Sequence, residues 1–209
     1  MQIIEQGKAL GQKYWVTVTN PPYMVSGGMN NRLQKYVKKI YPNQKSDLYA
    51  VFIKQSSDML KITGYMAIIT QHTWMFLQRY EKMRESIIDS FVNMIHLGAR
   101  AFDDISGEIV QTTTFVITKK SIKNYKGNYI RLVEYSSELT KSKAFFDGKN
   151  RFISKQDDFK LIPGNPVAYW ITPQELNSFM VGKSLKEIAE PRVGIITGNN
   201  DIFYNGLIN

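Results

Sequence analysis

The sequence predicts an α/β fold whose mostly parallel sheet ends in antiparallel strands, and three observations carry that prediction. Apolar runs of strand length alternate with helical stretches between residues 15 and 97. Two of those runs, "YMAIIT" and "FVNMIHL", are apolar over most of their length, as strands covered on both faces are. Two β-rich segments, "IVQTTTFVIT" and "YIRLVEY", then come one after the other with no helical stretch between them, so the chain has to turn back within the sheet.

Taken in order, the first strand covers residues 15–19 and runs into Asn-Pro-Pro-Tyr at 20–23. Prolines lack a backbone N–H and continue neither a helix nor a ladder, and each presses the preceding residue into extended geometry. "MVSGGMNNR" reads as a loop, and a lysine-rich helix is predicted over 32–40, stopped by "YPN". Ser46 is placed to cap a helix over 47–61, whose Leu48, Val51, Phe52, Met59 and Leu60 fall mostly three and four apart, with Gly64 ending it. Strands are then expected at 65–70, 91–97 and 109–118, a helix at 80–90, and a last strand at 129–135 after a polar connection. From Ser136 the pattern loosens. A boundary is therefore expected between residues 1–135 and 136–209, the second part carrying helices at 173–181 and 185–190.

Composition narrows the function. No apolar run reaches the roughly 18 residues of a membrane span, and the N-terminus lacks the pattern of a signal peptide. The absence of cysteine excludes disulfides and thiolate zinc sites and fits a reducing, cytoplasmic setting. With two histidines 24 positions apart, no histidine-rich metal site is expected. The net charge is +9, and residues 119–160 hold 11 Lys and Arg against 5 Asp and Glu. That excess suits a polyanionic partner, and equally a solvated basic surface.

The tetrapeptide has a chemistry of its own. In an open α/β sheet, ligands gather at the carboxyl ends of the strands, where Asn20 to Tyr23 falls. The Asn20 side-chain oxygen and the Pro21 carbonyl can both accept from one NH2 group, leaving its nitrogen lone pair free to attack an electrophilic carbon. Pro22 fixes the aim of the Pro21 carbonyl, and Tyr23 offers a face on which a planar base or amide can stack. No general base is needed, because attack by the neutral amine precedes loss of the proton. Orientation carries the reaction.

With these residues in view, the chain resembles the amino-methylating S-adenosylmethionine-dependent methyltransferases. The blocks "KYWVTVTNPPYM", "KSDLYAVFI", "GYMAIITQHTWMF" and "NMIHLGARAFDDISGEIVQTTTFV" are similar to the large adenine-specific DNA methyltransferases of BREX phage-defence systems, the PglX family. "DFKLIPGNPVAYWI" and "RVGIITGNNDIFY" resemble that family's passage into its target-recognition region. The resemblance implies the C-terminal half of a class I, Rossmann-like methyltransferase sheet, followed by the start of a target-recognition domain. It also implies S-adenosyl-L-methionine as cofactor, double-stranded DNA with a flipped adenine as substrate, and other defence-system subunits as partners. Two departures stand out. Trp15 replaces an acidic residue usual in the family. The family's glycine-rich cofactor loop and ribose-binding acid precede its strand four, and nothing before Tyr14 supplies them; Gly27-Gly28 and "GIITG" at 194–198 lie in the wrong context.

On this reading Asn20, Pro21, Pro22 and Tyr23 are the catalytic residues. Gln71, His72 and Trp74 follow the second strand at the same edge, His72 reading as loop packing because the amine chemistry needs no base. Trp74 borders the base pocket or belongs to the core. Gln111 and Thr112 fall where the family's last block approaches the target base, though an alternating strand surface explains them too. Lys141, Lys143 and Lys149 are candidates for the DNA backbone. Two other readings use the same residues: methylation of a protein glutamine amide, and a non-catalytic fragment that binds DNA or a partner.

Overall fold

The computed structural model describes residues 2–102 and 110–190. The elements are α1 (Gln2–Gly11), β1 (Tyr14–Thr19), α2 (Asn31–Ile40), α3 (Leu48–Asp58), β2 (Leu60–Gln71), α4 (Glu81–Ile87) and β3 (Phe91–Gly98), followed by β4 (Thr112–Thr118), β5 (Lys126–Arg131), α5 (Glu138–Phe146), β6 (Arg151–Lys155), α6 (Gln156–Lys160), α7 (Pro173–Val181) and α8 (Leu185–Ile188). The strands form one sheet in the order β1-β2-β4-β3-β5-β6. β1, β2, β3 and β5 run one way, while β4, inserted between β2 and β3, runs against both, and β6 runs against β5. The predicted α/β class and its antiparallel late strands are present. Ile109 and "RVGIITGNNDIFY" lie outside the described residues.

The core forms where strand alternation meets helix periodicity. Met66 and Ile68 of β2, Phe91 and Met94 of β3, and Phe115 and Ile117 of β4 face the sheet side covered by Tyr49, Ala50 and Ile53 of α3 and by Met83 and Ile87 of α4. Each large side chain buried this way contributes about 1.5–3 kcal/mol. Two buried cations brace the layer. The Arg84 guanidinium donates to the carbonyls of Trp74 (2.8 Å), Leu77 (2.7 Å), Gly164 and Asn165. It fastens the turn at 164–165, where Gly164 (φ 80°) and Asn165 (φ 50°) are left-handed, to the loop after β2. The second cation, Lys141, belongs to the candidate site below.

Several elements differ from their prediction. Asp47, not Ser46, caps α3, its carboxylate accepting from the Tyr49 N–H at 3.3 Å. α3 ends at Asp58, and β2 already starts at Leu60, so Gly64 lies inside a strand. There a Cβ would stand 2.9 Å from the carbonyl oxygens of Tyr14 and Trp15. The pairing skips from Tyr14↔Leu60 to Val16↔Tyr65 at this point, so glycine permits the close approach of β1. β5 begins earlier than 129 and ends at Arg131; one more bond, from the Leu132 N–H to the His96 carbonyl at 2.9 Å, precedes the turn.

The boundary expected at 135/136 falls inside the sheet. β6 pairs with β5, and Phe159, Val167 and Tyr169 enter the main core. β6 shows the alternating half-exposure of an edge strand, which is why its hydropathy pattern looked loose. At the opposite edge β1 has no outer neighbour among the described residues, and Trp15 (59%), Val16 (59%) and Val18 (74%) are exposed.

Candidate active site

The carboxyl ends of β1, β2, β3 and β5 and the first residues of β4 and β6 share one edge of the sheet. Asn20 follows β1 directly and is exposed, with Pro21 buried beside it and Tyr23 at the border of exposure. Neither the Asn20 side-chain oxygen nor the Pro21 carbonyl has a hydrogen-bond partner among the described residues. The pair of acceptors is open.

The loop after the tetrapeptide is held firmly. The Asp47 carboxylate that caps α3 also accepts from the Met24 N–H at 3.0 Å, and the Leu48 N–H donates to the Met24 carbonyl at 3.0 Å. Ser26 N–H adds a bond to the Ser46 carbonyl, and Val25 bridges Asp47. The loop is thereby fixed to the N-terminus of α3. Tyr23 rests edge-on against Tyr49, with ring centroids 6.0 Å apart, and the Tyr49 hydroxyl meets the Thr73 hydroxyl at 3.0 Å. Burial first, and then the Asp47 charge, raise the Tyr23 phenol above its ordinary pKa, so it stays protonated. Asp47, Tyr49 and Thr73 were missed in the sequence as parts of this edge. The signal for Asp47 was present, an N-cap residue before an apolar helix, but its second bond joins residues 23 apart.

The end of β2 divides its residues between two roles. Gln71 pairs with Thr112 across the ladder, and the His72 N–H donates to the Gln111 carbonyl at 3.0 Å, so these residues do meet at one place. Trp74, however, belongs to the core and not to a pocket wall. It is fully buried, lies parallel to Phe91 at 5.8 Å, and donates its indole N–H to the Thr70 hydroxyl at 3.0 Å. Thr112 is also buried, its hydroxyl directed at the Gly98 carbonyl, whereas Gln111 is exposed. His72 is half-buried, with Nδ1 2.8 Å from His96 Nε2, and His96 Nδ1 lies 3.2 Å from the Tyr169 hydroxyl. Phe76 packs edge-on against His72, and Trp170 contacts both Phe76 and His96 under the Arg131 guanidinium.

Of the three lysines expected to face DNA, Lys141 does not. It is buried, and its ammonium donates to the carbonyls of Leu97 (2.7 Å), Leu132 (2.8 Å) and Tyr135 (2.6 Å), tying α5 to the ends of β3 and β5. Lys143 and Lys149 are exposed, the latter 3.9 Å from Asp147. Within the basic stretch, the exposed Lys119 donates to the Ser57 carbonyl at 3.0 Å, and Lys160 bridges Asp89 and Asp157. A cleft of about 330 Å³ beside Lys160 lies at the other end of the sheet, away from Asn20 and His72. Among the described residues no group of side chains is arranged to hold a metal, and no helix is long and apolar enough to cross a membrane.

Gly27 and Gly28 do not form the turn that cradles a nucleoside cofactor. They form a single 3-10 turn after Val25, not a strand-to-helix turn with its N–H groups turned outward, and 194–198 lies outside the described residues.

Comparison with known proteins agrees with this geometry. The sequence model of the Eco57I restriction-modification methylase family matches residues 3–102. The adenine-specific methyltransferase PglX of Lacticaseibacillus casei (strain Zhang) is 43% identical over 209 residues, covering 96% of this chain and 17% of that protein. The adenine-specific methyltransferase BrxX of Escherichia coli O9:H4 (strain HS) is 44% identical over 180 residues, covering 85% of this chain and 15% of that protein. The chain thus spans about a sixth of the length of these curated relatives. Among solved structures, a nuclease-deletion mutant of the Type ISP restriction-modification enzyme LlaGI, in complex with a DNA substrate mimic, superposes with a TM-score of 0.54. That match covers 78% of this chain and 18% of that one at 16% identity, a likeness of fold. With Asn-Pro-Pro-Tyr at the carboxyl edge of such a sheet and identity above 40% along nearly all its length, the chain belongs to the PglX-like family of adenine-specific methyltransferases.

Proposed function

We propose that this chain forms the methyl-acceptor side of a site-specific DNA adenine-N6 methyltransferase that acts in phage defence or restriction-modification. The observation that carries the reading is the open pair of acceptors, Asn20 Oδ1 and the Pro21 carbonyl, on a loop clamped to α3 through Asp47. An exocyclic amine offers two N–H donors to two such acceptors. Once both are engaged, the nitrogen lone pair points away from the pair and toward the incoming methyl group. S-adenosylmethionine would supply that methyl as an electrophile, its sulfonium S–C bond breaking as the N–C bond forms. Pro22 keeps the Pro21 carbonyl aimed, and Tyr23, braced on Tyr49, stacks on the base. The amine's proton leaves to solvent after the new N–C bond has formed.

The target adenine has to leave the duplex to reach this edge. Lys143 and Lys149 lie on the same edge of the sheet beside β5 and β6, about 20 Å from β1 at the usual strand spacing. In this reading they hold backbone phosphates while the base enters, which their exposure allows.

In the full-length enzyme, Asn20→Ala should lower single-turnover methylation of duplex DNA by about two to three orders of magnitude, about 3–4 kcal/mol, with DNA affinity nearly unchanged. Tyr23→Ala should weaken retention of the base by about 1–3 kcal/mol, and Tyr23→Phe should remain near wild type. Near-normal methylation by Asn20→Ala would sink this mechanism.

A further inference from the structure

The same edge carries a second polar device, made of three groups in a row. Tyr169 and His96 are buried, and His72 closes the row where it reaches the surface. Such a row can be polarised in two ways, and the burial of Tyr169 decides between them. The partner of its hydroxyl among the described residues is His96 Nδ1. If His96 donated there, the phenol proton would be left inside the protein with nothing to accept it. Tyr169 therefore donates to His96 Nδ1. A neutral His96 then carries its proton on Nε2 and donates it to His72 Nδ1. With Nδ1 accepting, His72 in turn bears its proton on Nε2.

The neutrality this chain of bonds requires is supplied by its surroundings. Burial first, and then the neighbouring His72, Arg131 and Lys141, lower His96 from 6.5 to about 3. Burial lowers His72 as well. His72 Nε2 has no hydrogen-bond partner among the described residues. It is also not sealed in, because the buried side-chain polar atom left without a partner among those residues is the Tyr129 hydroxyl. Along the ladder Thr19 pairs with Ile68, so His72 stands three residues beyond the level of Asn20, about 10 Å, a gap that two side chains and a base can fill.

We infer that His72 is a hydrogen-bond donor of fixed tautomer, which presents Nε2–H to a ring nitrogen of the planar base whose amine Asn20 and Pro21 receive. The inference rests on the reading given under Proposed function and deepens it. Two acceptors beside one donor match an amino group next to a ring nitrogen, as in adenine, and oppose a base that turns a carbonyl toward the acceptors. His72 acts on specificity and not as a base, since its available nitrogen already holds the proton. Tyr169 and His96 are positioning residues, which set that proton from the segment after β6.

The two histidines make the first measurement direct. Long-range proton–nitrogen correlation spectra of the 15N-histidine-labelled chain at neutral pH should show both rings as Nε2–H tautomers. Tyr169→Phe keeps the ring stacked on Tyr129 but removes the directing hydroxyl, and should let His72 populate Nδ1–H. A wild-type His72 in the Nδ1–H form overturns the inference.

The second arm uses the full-length enzyme on duplexes whose target adenine is replaced by 1-deazaadenine or 7-deazaadenine. One replacement should lower kcat/KM about five- to tenfold in the wild type, and that loss should vanish in His72→Leu but persist in His72→Gln, which keeps an N–H donor. Equal losses in wild type and His72→Leu for both analogues overturn the assignment. Failure of the wild-type enzyme to methylate duplex DNA at all is a different result. It sinks the proposed function, and the named ligand with it, while the tautomer spectra still decide whether His72 is the donor.

Discussion

His96 is a base placed where burial and the nearby Arg131 and Lys141 all oppose its protonation. In the unfolded chain the imidazole protonates below about 6.5, whereas the native state refuses the proton until about 3. Stability is therefore complete above about 6.5 and lost as pH falls through that window, at up to about 1.4 kcal/mol per pH unit. His72, lowered in the same direction, adds to the loss. Urea titrations at about pH 7 and pH 5, above the range where most carboxylates titrate, should differ by about 2 kcal/mol; a flat profile would mean that His96 is reached by water. At this scale the sequence was legible where chemistry is local. Asn20, Pro21, Pro22 and Tyr23 announce themselves by adjacency, and they stand at the predicted edge. The partners that hold them were illegible, because Asp47 to Met24 and His96 to Tyr169 join residues 23 and 73 apart.

Elements were legible to the extent that their hydropathy was periodic. α7 was anticipated to the residue, β3 to within one, and the helix over 32–40 to within one. β2 runs longer than its apolar centre suggests, because Gly64 looks like a helix stop in sequence but serves a close strand approach in space. β6 was read as part of a connection, because an edge strand half in solvent has no continuous apolar run. α5 teaches a different lesson about charge. Lys141, Lys143 and Lys149 look equivalent in the sequence, yet Lys141 fastens the helix to the sheet and the other two stay in water. Lys141→Met should lower stability by about 2–4 kcal/mol in urea titration, since it removes three charge-assisted hydrogen bonds to the carbonyls of Leu97, Leu132 and Tyr135. Lys143→Glu with Lys149→Glu should cost little stability. In the full-length enzyme, however, that pair should weaken DNA binding for all sequences alike and flatten the salt dependence by about one for each phosphate no longer held. An unchanged salt slope would leave both as solvated surface.

At the scale of the whole molecule, one sheet runs from β1 to β6, and its carboxyl edge gathers the acceptor pair, the histidine row and the exposed lysines. Gly27 and Gly28 form no turn that cradles a nucleoside, and on that ground the isolated chain should bind S-adenosylmethionine weakly or not at all. Calorimetry decides this, and a micromolar dissociation constant, about 8 kcal/mol of binding, would place the cofactor on residues assigned other roles here. The outer side of β1 sets the conditions for that experiment. A row of amides and carbonyls with no strand against it among the described residues, flanked by Trp15, Val16 and Val18 and guarded at one end by Lys61 over the indole of Trp15, is adhesive toward any strand that meets it. At the concentrations calorimetry needs, copies of the chain are the strands most often met. Colloidal behaviour, and not affinity, is then what an unguarded titration records, and charge placed on the outward positions 16 and 18 is the remedy the fold suggests.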